Sequence, residues 1–236
     1  MKHYIYGDLH GNLSAFRSIM RQIDPEPDDR LFFSGDAIDR RPDGIELIKT
    51  IMQSEQMTLI LGNHEYMMRN VIHAELHHHK GWQYEEDKEL WYYYGGAVTH
   101  QQFELLPENE KTEIEDFLFS LPVNIDLTIQ DRPFKLVHAA PLEWFRGQSD
   151  YVDAVEFAVW HRWGCGYPEP KEYTVLFGHT PTEMFQDGSP MRIWHGDNAV
   201  GIDCGAGYPD DFFIRYGVQG RLAAICLEDM HEYYSE

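Results

Sequence analysis

Short apolar runs recur along this chain, and each ends in a polar side chain, usually after a glycine. Runs of this length that do not alternate with polar residues are typical of buried strands. The runs and the polar residues that follow them are YIY with Asp8, LFFS with Asp36, TLIL with Asn63, KLV with His138, VLF with His179, and GI with Asp203. Six strands that end in this way predict a sheet with one chemically active edge.

Two helices are predicted between the first three strands. Apolar residues recur at helical spacing in Leu13–Ile23, and Gly44–Met52 shows a similar pattern. Strand–helix–strand alternation indicates an α/β protein with a largely parallel sheet covered by helices. Because functional groups gather at the carboxyl ends of strands in such sheets, we expect the polar residues after the strands to meet there.

A helical insertion is predicted at about residues 66–121 of a single domain that spans residues 1–236. EYMMRNVIHAELHHH and ENEKTEIEDFLFSL have helical character, and Gly95-Gly96 marks a turn between them. We expect the aromatic stretch WYYYGG to pack beneath this insertion. The histidines at 77–79 are expected to form an exposed face without function, since adjacent residues of a helix point in different directions.

The chain is strongly acidic, because 19 lysines and arginines face 40 aspartates and glutamates, for a net charge of −21. Nucleic acids and anionic membranes bind basic surfaces, so neither is expected as a partner. No apolar run approaches the roughly 18 residues of a membrane span, and no signal-peptide core follows Met1. Cys165, Cys204 and Cys226 fit neither a zinc pattern nor a disulfide framework. We therefore expect a cytoplasmic protein, whose oligomeric state the sequence leaves open.

The polar residues at the predicted sheet edge form a candidate metal-binding set. Asp8 and His10 are two positions apart in an extended stretch, so both side chains can point at one ion. The other candidate ligands are Asp36, Asn63, His138 and His179. This set is too large for one tetrahedral zinc ion and suits two ions that share the Asp36 carboxylate. Mixed nitrogen and oxygen ligands favour manganese, iron, zinc or cobalt, with manganese as our first expectation.

Two metal ions roughly 3.5–4 Å apart favour in-line displacement at phosphorus by a metal-activated water. Such a reaction also needs an acid for the leaving oxygen and cations for the phosphate oxygens. His64 is the candidate acid, and Asp39 can orient its imidazole and raise its pKa. Arg40 and Arg162 are the candidate phosphate-binding residues, because a guanidinium matches phosphate oxygens in a bidentate manner.

These motifs together resemble the calcineurin-like metallophosphoesterases. The phrases that carry the resemblance are GDLHG (7–11), GDAIDR (35–40), GNHE (62–65), His138 and GHTP (178–181). Trp160-His161-Arg162, Gly95-Gly96 and IDCGA (202–206) are similar to the phosphoprotein phosphatases, in particular the short lambda-type phage and bacterial enzymes. The resemblance covers most of the chain and implies a four-layer metallophosphoesterase β-sandwich flanked by helices.

The resemblance also implies a role for each candidate residue. The first metal would be held by Asp8, His10 and Asp36, and the second by Asp36, Asn63, His138 and His179. Asp39 and His64 would form the catalytic pair, and the substrate phosphate would contact Arg40, Arg162 and Asn63. Arg41 replaces the glycine usual at its position, and we expect it to bring a third cation to the phosphate rim.

The leading hypothesis is a phosphatase that hydrolyses phosphomonoesters, in particular phosphoserine and phosphothreonine in proteins, by direct attack of a metal-bridging hydroxide. Its partner would be a phosphoprotein or a small phosphorylated substrate. A second hypothesis is symmetrical cleavage of diadenosine tetraphosphate, because relatives with that activity have the same metal core. A third is a non-catalytic binding module on the same fold, which predicts a broken ligand set that the sequence does not show.

Overall fold

A computed structural model describes residues 1–162, 172–209 and 212–236, so Cys165 lies outside the described residues. The strands are β1 (His3–Tyr6), β2 (Arg30–Phe33), β3 (Met57–Leu59), β4 (Asn124–Ile129), β5 (Arg132–Val137), β6 (Thr174–Phe177), β7 (Trp194–His195), β8 (Ala199–Gly201), β9 (Ala223–Cys226) and β10 (Glu232–Tyr234). The helices are α1 (Leu13–Ile23), α2 (Gly44–Met52), α3 (Asn63–Leu76), α4 (Trp82–Tyr93), α5 (Ala97–Glu104), α6 (Glu108–Ser120), α7 (Ala154–Trp160) and α8 (Phe212–Tyr216).

The strands form two mixed sheets of five strands each. The first has the order β10-β9-β1-β2-β3, in which β1, β2 and β3 are parallel and β9 runs antiparallel to both of its neighbours. The second has the order β4-β5-β6-β8-β7, in which β5, β6 and β8 are parallel and the two edge strands are antiparallel. The carboxyl ends of six parallel strands are therefore available to build one site.

Both faces of the central strands are buried, which explains the unbroken apolar runs. Alternate residues of a strand point to opposite faces of its sheet. Ile5 of β1 and Leu176 of β6 belong to the core between the two sheets. Tyr6 faces the core shared with the helices, whereas Phe177 faces an outer layer of aromatic side chains. The layers thus follow the order helices, sheet, sheet and outer segments.

The fold class predicted from the sequence is confirmed. The six predicted strands are β1, β2, β3, β5, β6 and β8, and α1 and α2 have the predicted bounds. The strands β4, β7, β9 and β10 were not predicted from the sequence. β4, β7 and β10 lack an apolar run followed by a polar residue, whereas β9 carries this signal, since the run LAAICL precedes Glu228. Within the described ranges, no helix has both the length and the apolar character required to cross a bilayer.

Four helices, α3 to α6, occupy the segment predicted to be a helical insertion. Trp91 of α4 and Leu118 of α6 are fully buried in the same apolar core as Phe33 of the first sheet. The Glu75 carboxylate of α3 adds a polar connection, because it accepts hydrogen bonds from the Tyr84 hydroxyl (2.7 Å) and from His100 Nε2 (2.9 Å). The insertion is thus packed on the sheet and cross-linked between its own helices.

Glu75→Gln is expected to lower the free energy of unfolding by about 1–2 kcal/mol near pH 7, the range for a hydrogen bond to a charged group after screening. Burial raises the pKa of Glu75, but the hydrogen bonds from His100 and Tyr84 outweigh it and lower the pKa from 4.5 to about 2. The stabilisation is therefore present above pH 4.5 and is lost as the pH falls towards 2. Urea unfolding at pH 7 and pH 3 measures this difference between variant and wild type.

The matched control is Glu86→Gln, a substitution at an exposed position of α4 that should change stability little at either pH. A difference between Glu75→Gln and wild type that is equal at pH 7 and pH 3 would show that the Glu75 charge does not act in this way.

Candidate metal centre and active site

Polar residues at the carboxyl ends of parallel strands from both sheets meet in one place. Asp8 follows β1, Asp36 follows β2 and Asn63 follows β3, whereas His138 and His179 follow β5 and β6 of the second sheet. All five are buried. Contacts of 2.9–3.3 Å join His138 to Asn63 and to Asp36 across the two sheets. The structure thus brings the predicted residues together at the predicted edge.

A backbone carbonyl holds one ring nitrogen of each imidazole in the predicted metal set. The hydrogen bonds run from His10 Nδ1 to Ile38 O (3.2 Å), from His138 Nδ1 to Ser34 O (2.6 Å) and from His179 Nε2 to Trp160 O (3.2 Å). Because a carbonyl can only accept, these nitrogens carry the protons, and the other nitrogen of each neutral ring has a free lone pair. Metal-binding histidines are commonly oriented in this way.

The free lone pairs converge on oxygen atoms that are also acceptors. Asn63 Oδ1 lies 2.9 Å from His138 Nε2 and 3.0 Å from His179 Nδ1. Asp36 Oδ1 lies 3.3 Å from His138 Nε2, and Asp36 Oδ2 lies 3.6 Å from His10 Nε2. A neutral imidazole supplies no proton between these atoms, and a cation placed between them would satisfy both sides. The donor set therefore fits two divalent metal ions on either side of Asp36.

Burial has opposite effects on the acids and the bases of this site. Burial, together with the nearby Asp203 and Asp36 carboxylates, raises the pKa of Asp8 well above its usual range. Burial lowers the pKa of His10 and of His179 well below the usual value for histidine. Both imidazoles are thus neutral at physiological pH, which is the form that binds metal ions.

His64 has different surroundings from the other imidazoles. Its Nδ1 lies 2.6 Å from Asp39 Oδ2, which also accepts a 2.7 Å hydrogen bond from Trp91 Nε1. Burial lowers the pKa of His64, but the Asp36 and Asp39 carboxylates outweigh it, so that the pKa is raised. His64 Nε2 lies 3.8 Å from Asp36 Oδ2, yet it also lies 3.3 Å from Arg40 Nη2. A neighbouring guanidinium disfavours a metal ion at this nitrogen.

The Gly95-Gly96 turn brings the insertion against this pair. Gly95 O accepts a 3.2 Å hydrogen bond from the Arg40 backbone N–H. A Cβ atom at Gly96 would lie 2.3 Å from the Trp91 ring, so only glycine allows the close approach of this turn to the indole. The turn thereby fixes the indole that donates to Asp39.

Glu65 holds the loop that carries Asp36, although the sequence analysis assigned it no role. Its carboxylate accepts hydrogen bonds from the backbone N–H groups of Asp36 (2.8 Å), Ala37 (2.8 Å) and Gly62 (3.1 Å). Burial, and to a lesser extent repulsion by the nearby Asp36 carboxylate, raises the pKa of Glu65 to about 8. The GNHE motif (62–65) contains Glu65 and could have marked it as a site residue, but the motif does not reveal which groups Glu65 contacts.

Five of the six predicted metal ligands, all except His138, line a small cavity of about 160 Å³. Arg40 and Arg162 line it, and Arg162 is anchored by a 3.2 Å hydrogen bond from Nη1 to His179 O. His64 is fully buried and adjoins the cavity through Arg40. The cavity wall is formed by Asp8, His10, Asp36, Arg40, Asn63, Tyr94, Trp160, Arg162, His179, Pro181, Asp203 and Tyr208.

Two expectations from the sequence need correction. Arg41 does not line the cavity, because its guanidinium donates to the carbonyls of Ala206 (3.3 Å) and Tyr208 (2.9 Å). The WYYYGG stretch does not pack beneath the insertion along its whole length. Trp91 is buried, but Tyr93 is 83% exposed and Tyr94 lines the cavity. Neither difference removes a predicted site residue.

Asp203 is a cavity residue to which the sequence analysis gave no function. It follows β8, and its Oδ1 accepts a 2.9 Å hydrogen bond from Gly205 N. Burial raises its pKa to about 6. The GI run before it was the available signal, and the unusual density of carboxylates became evident only from the tertiary structure.

The fold and the site together define a metal-dependent phosphoester hydrolase. The profile of the family described as calcineurin-like phosphoesterase matches residues 1–220, and the chain belongs to this family. Members of this family use two metal ions, and the clustered histidines and aspartates provide candidate ligands for them. The resemblance drawn from the motifs is thereby confirmed at the level of the family.

Individual relatives divide between two activities. The chain is 23% identical over 187 residues to serine/threonine-protein phosphatase 2 of Salmonella typhimurium, across 75% of this chain and 78% of that protein. It is 35% identical over 76 residues to a symmetrical bis(5'-nucleosyl)-tetraphosphatase of Marinomonas sp., across 31% of this chain and only 28% of that enzyme. A solved structure named "putative diadenosine tetraphosphatase" has a TM-score of 0.63 at 18% identity, covers 99% of this chain and 92% of its own, and shows the shared fold.

Asp36→Asn is expected to weaken both metal ions together, because Asp36 lies between the two histidine groups. We expect a loss of at least about 10–100-fold in affinity, the scale known for outer partners of metal ligands. Elemental analysis after equilibration with Mn²⁺ measures the stoichiometry. Asp28→Asn, at an exposed carboxylate, is the control. Unchanged stoichiometry in Asp36→Asn would show that Asp36 is not the shared ligand.

Proposed function

We propose that this chain is a dinuclear-metal phosphatase that hydrolyses phosphomonoesters, with phosphoserine and phosphothreonine in proteins as its substrates. The convergence of neutral imidazole nitrogens and amide and carboxylate oxygens around Asp36 carries the proposal, since cations between these atoms would satisfy them. Family membership supports the reaction class. The long match to a serine/threonine-protein phosphatase supports the substrate class.

The residues assigned to each ion follow from their positions around Asp36. We assign the first ion to Asp8, His10 and Asp36, and the second to Asp36, Asn63, His138 and His179. When bound, the two ions would polarise the phosphoryl group and lower the pKa of the attacking water. Manganese is our choice of metal, because the set mixes nitrogen and oxygen ligands without thiolate.

His64 is proposed to protonate the leaving oxygen. The hydrogen bond to Asp39 holds Nδ1, so that Nε2 faces Arg40, which lines the cavity. The raised pKa keeps the ring protonated over a wider pH range, as an acid catalyst requires. Trp91 donates a hydrogen bond to the same Asp39 oxygen and is a positioning residue.

Arg40 and Arg162 are proposed to bind the phosphate oxygens, with Asn63 as a further contact. Both arginines line the cavity, and both are exposed to solvent. Two guanidinium groups can neutralise and orient one phosphate group. Among the described residues, no lysine and no other arginine lines this cavity. This limited positive charge favours a single phosphomonoester over a chain of four linked phosphates.

Symmetrical cleavage of diadenosine tetraphosphate is the second candidate function. The 35% identity to a symmetrical tetraphosphatase over 76 residues favours it. Phosphoserine and phosphothreonine peptides, diadenosine tetraphosphate and an aryl phosphate should be compared as substrates with Mn²⁺. We expect the highest kcat/KM for a phosphopeptide. A preference for the dinucleotide would establish the second function, and no turnover of any substrate would indicate a binding module.

His64→Asn is expected to reduce turnover of alkyl phosphates by about 10²–10⁴-fold, the usual contribution of general acid catalysis. Aryl phosphates with good leaving groups should lose much less, because their leaving oxygen departs without a proton. Steady-state kinetics on both substrate types, with metal content measured in parallel, separate this effect from loss of metal. Near-normal turnover of alkyl phosphates would exclude His64 as the acid.

A further inference from the structure

A second group of side chains of the types that bind metal ions lies away from the candidate active site. His73 lies in the last turn of α3, His77 follows the last residue of that helix, and Glu115 belongs to α6. His73 is ten residues beyond Asn63, which corresponds to about 15 Å along a helix. Residues four apart on a helix are neighbours on one face, so the two imidazoles can bind the same ion. The structure shows this arrangement, since the centroids of the two imidazole rings are 4.4 Å apart.

The ligand atoms of this group are already close to the geometry of a metal site. Glu115 Oε1 lies 2.7 Å from His73 Nδ1 and 3.0 Å from His77 Nε2, and the three candidate ligand atoms lie within 4.8 Å of one another. Tetrahedral zinc with bonds of about 2.0–2.1 Å separates its ligand atoms by roughly 3.3 Å. Small side-chain movements would therefore open the group enough to admit an ion.

The electrostatic surroundings favour a cation. The Glu115 side chain is only 9% exposed, and no lysine or arginine of the described residues forms an ion pair with it. A buried carboxylate requires a compensating charge or hydrogen bonds, and the partners of Glu115 are His73 and His77, the two groups that would share an ion with it. The imidazoles are 47% and 49% exposed, which leaves one side open to an ion and its water. The ring centroids of Phe119 and His73 are 5.3 Å apart, and this packing limits the rotation of the His73 imidazole.

We propose that His73, His77 and Glu115 form a second metal site, which binds Zn²⁺ or a similar transition-metal ion with one position open to solvent. Two imidazoles and one carboxylate are a ligand set used by zinc, whereas magnesium and calcium prefer oxygen ligands. The ion would join α3 to α6 and thus clamp the insertion whose first helix begins with Asn63 and His64. The histidines at 77–79 are exposed, as predicted, but the contacts give His77 a role that its neighbours lack.

The proposal is tested with Zn²⁺ alone on the full chain. Wild type, His73→Asn, His77→Asn and the control His78→Asn are equilibrated with Zn²⁺ and analysed for bound metal. His78 is exposed, is not part of the ligand group and has a left-handed backbone (φ 58°) that asparagine tolerates. We expect wild type and His78→Asn to bind one more equivalent of Zn²⁺ than His73→Asn and His77→Asn.

Thermal unfolding provides a second measurement. Zn²⁺ should raise the Tm in proportion to the logarithm of its concentration above Kd, because the ion binds the folded state. We expect this increase to be smaller in His77→Asn than in His78→Asn. Equal stoichiometry and equal Tm increases in all four proteins would refute the site. Each comparison leaves the candidate active site intact in every protein, so its outcome does not depend on the proposed phosphatase activity.

Discussion

The structure depends on burying several carboxylates close together. Asp8, Asp36 and Asp203 are each at most 5% exposed and lie at the same sheet edge. Burial raises the pKa of Asp8 and of Asp203, helped by repulsion from neighbouring carboxylates. Burial also acts to raise the pKa of Asp36, but the surrounding imidazoles outweigh it and lower that pKa. Buried charges of one sign are tolerated only when cations or hydrogen-bond donors balance them. The surrounding imidazoles, the two arginines and the fit to divalent ions all follow from this requirement.

The same constraint explains the unusual backbone of the site. His10, Asp36, Asp39, Arg40 and His179 all have φ between 46° and 72°, in the left-handed region. This conformation costs roughly 1–2 kcal/mol for a residue with a side chain. The two sheets and the buried core offset that cost, because the strands fix the point at which each turn begins. Strain of this kind is concentrated at functional sites, where it directs side chains that an ordinary turn would point elsewhere.

The insertion belongs to the site as well as to the core. Trp91 reaches Asp39 from α4, and Thr99 Oγ1 accepts a 3.0 Å hydrogen bond from the Asp39 backbone. One buried carboxylate thus connects the insertion to the His64 imidazole. The distal end of α3 carries the His73, His77 and Glu115 group, so an ion there would act on the helix that also begins at the candidate active site.

The fold class, the two helices between the first strands and the residues at the sheet edge could all be predicted from the sequence. Apolar runs and the polar residues after them are local signals, and parallel strands necessarily place their ends at one edge. The contacts between residues far apart along the chain could not be predicted and are set by tertiary packing. Asp39 and Trp91, Asp36 and Glu65, and His73 and Glu115 are 52, 29 and 42 positions apart. Helix packing and loop conformation create these contacts, and no local periodicity encodes them.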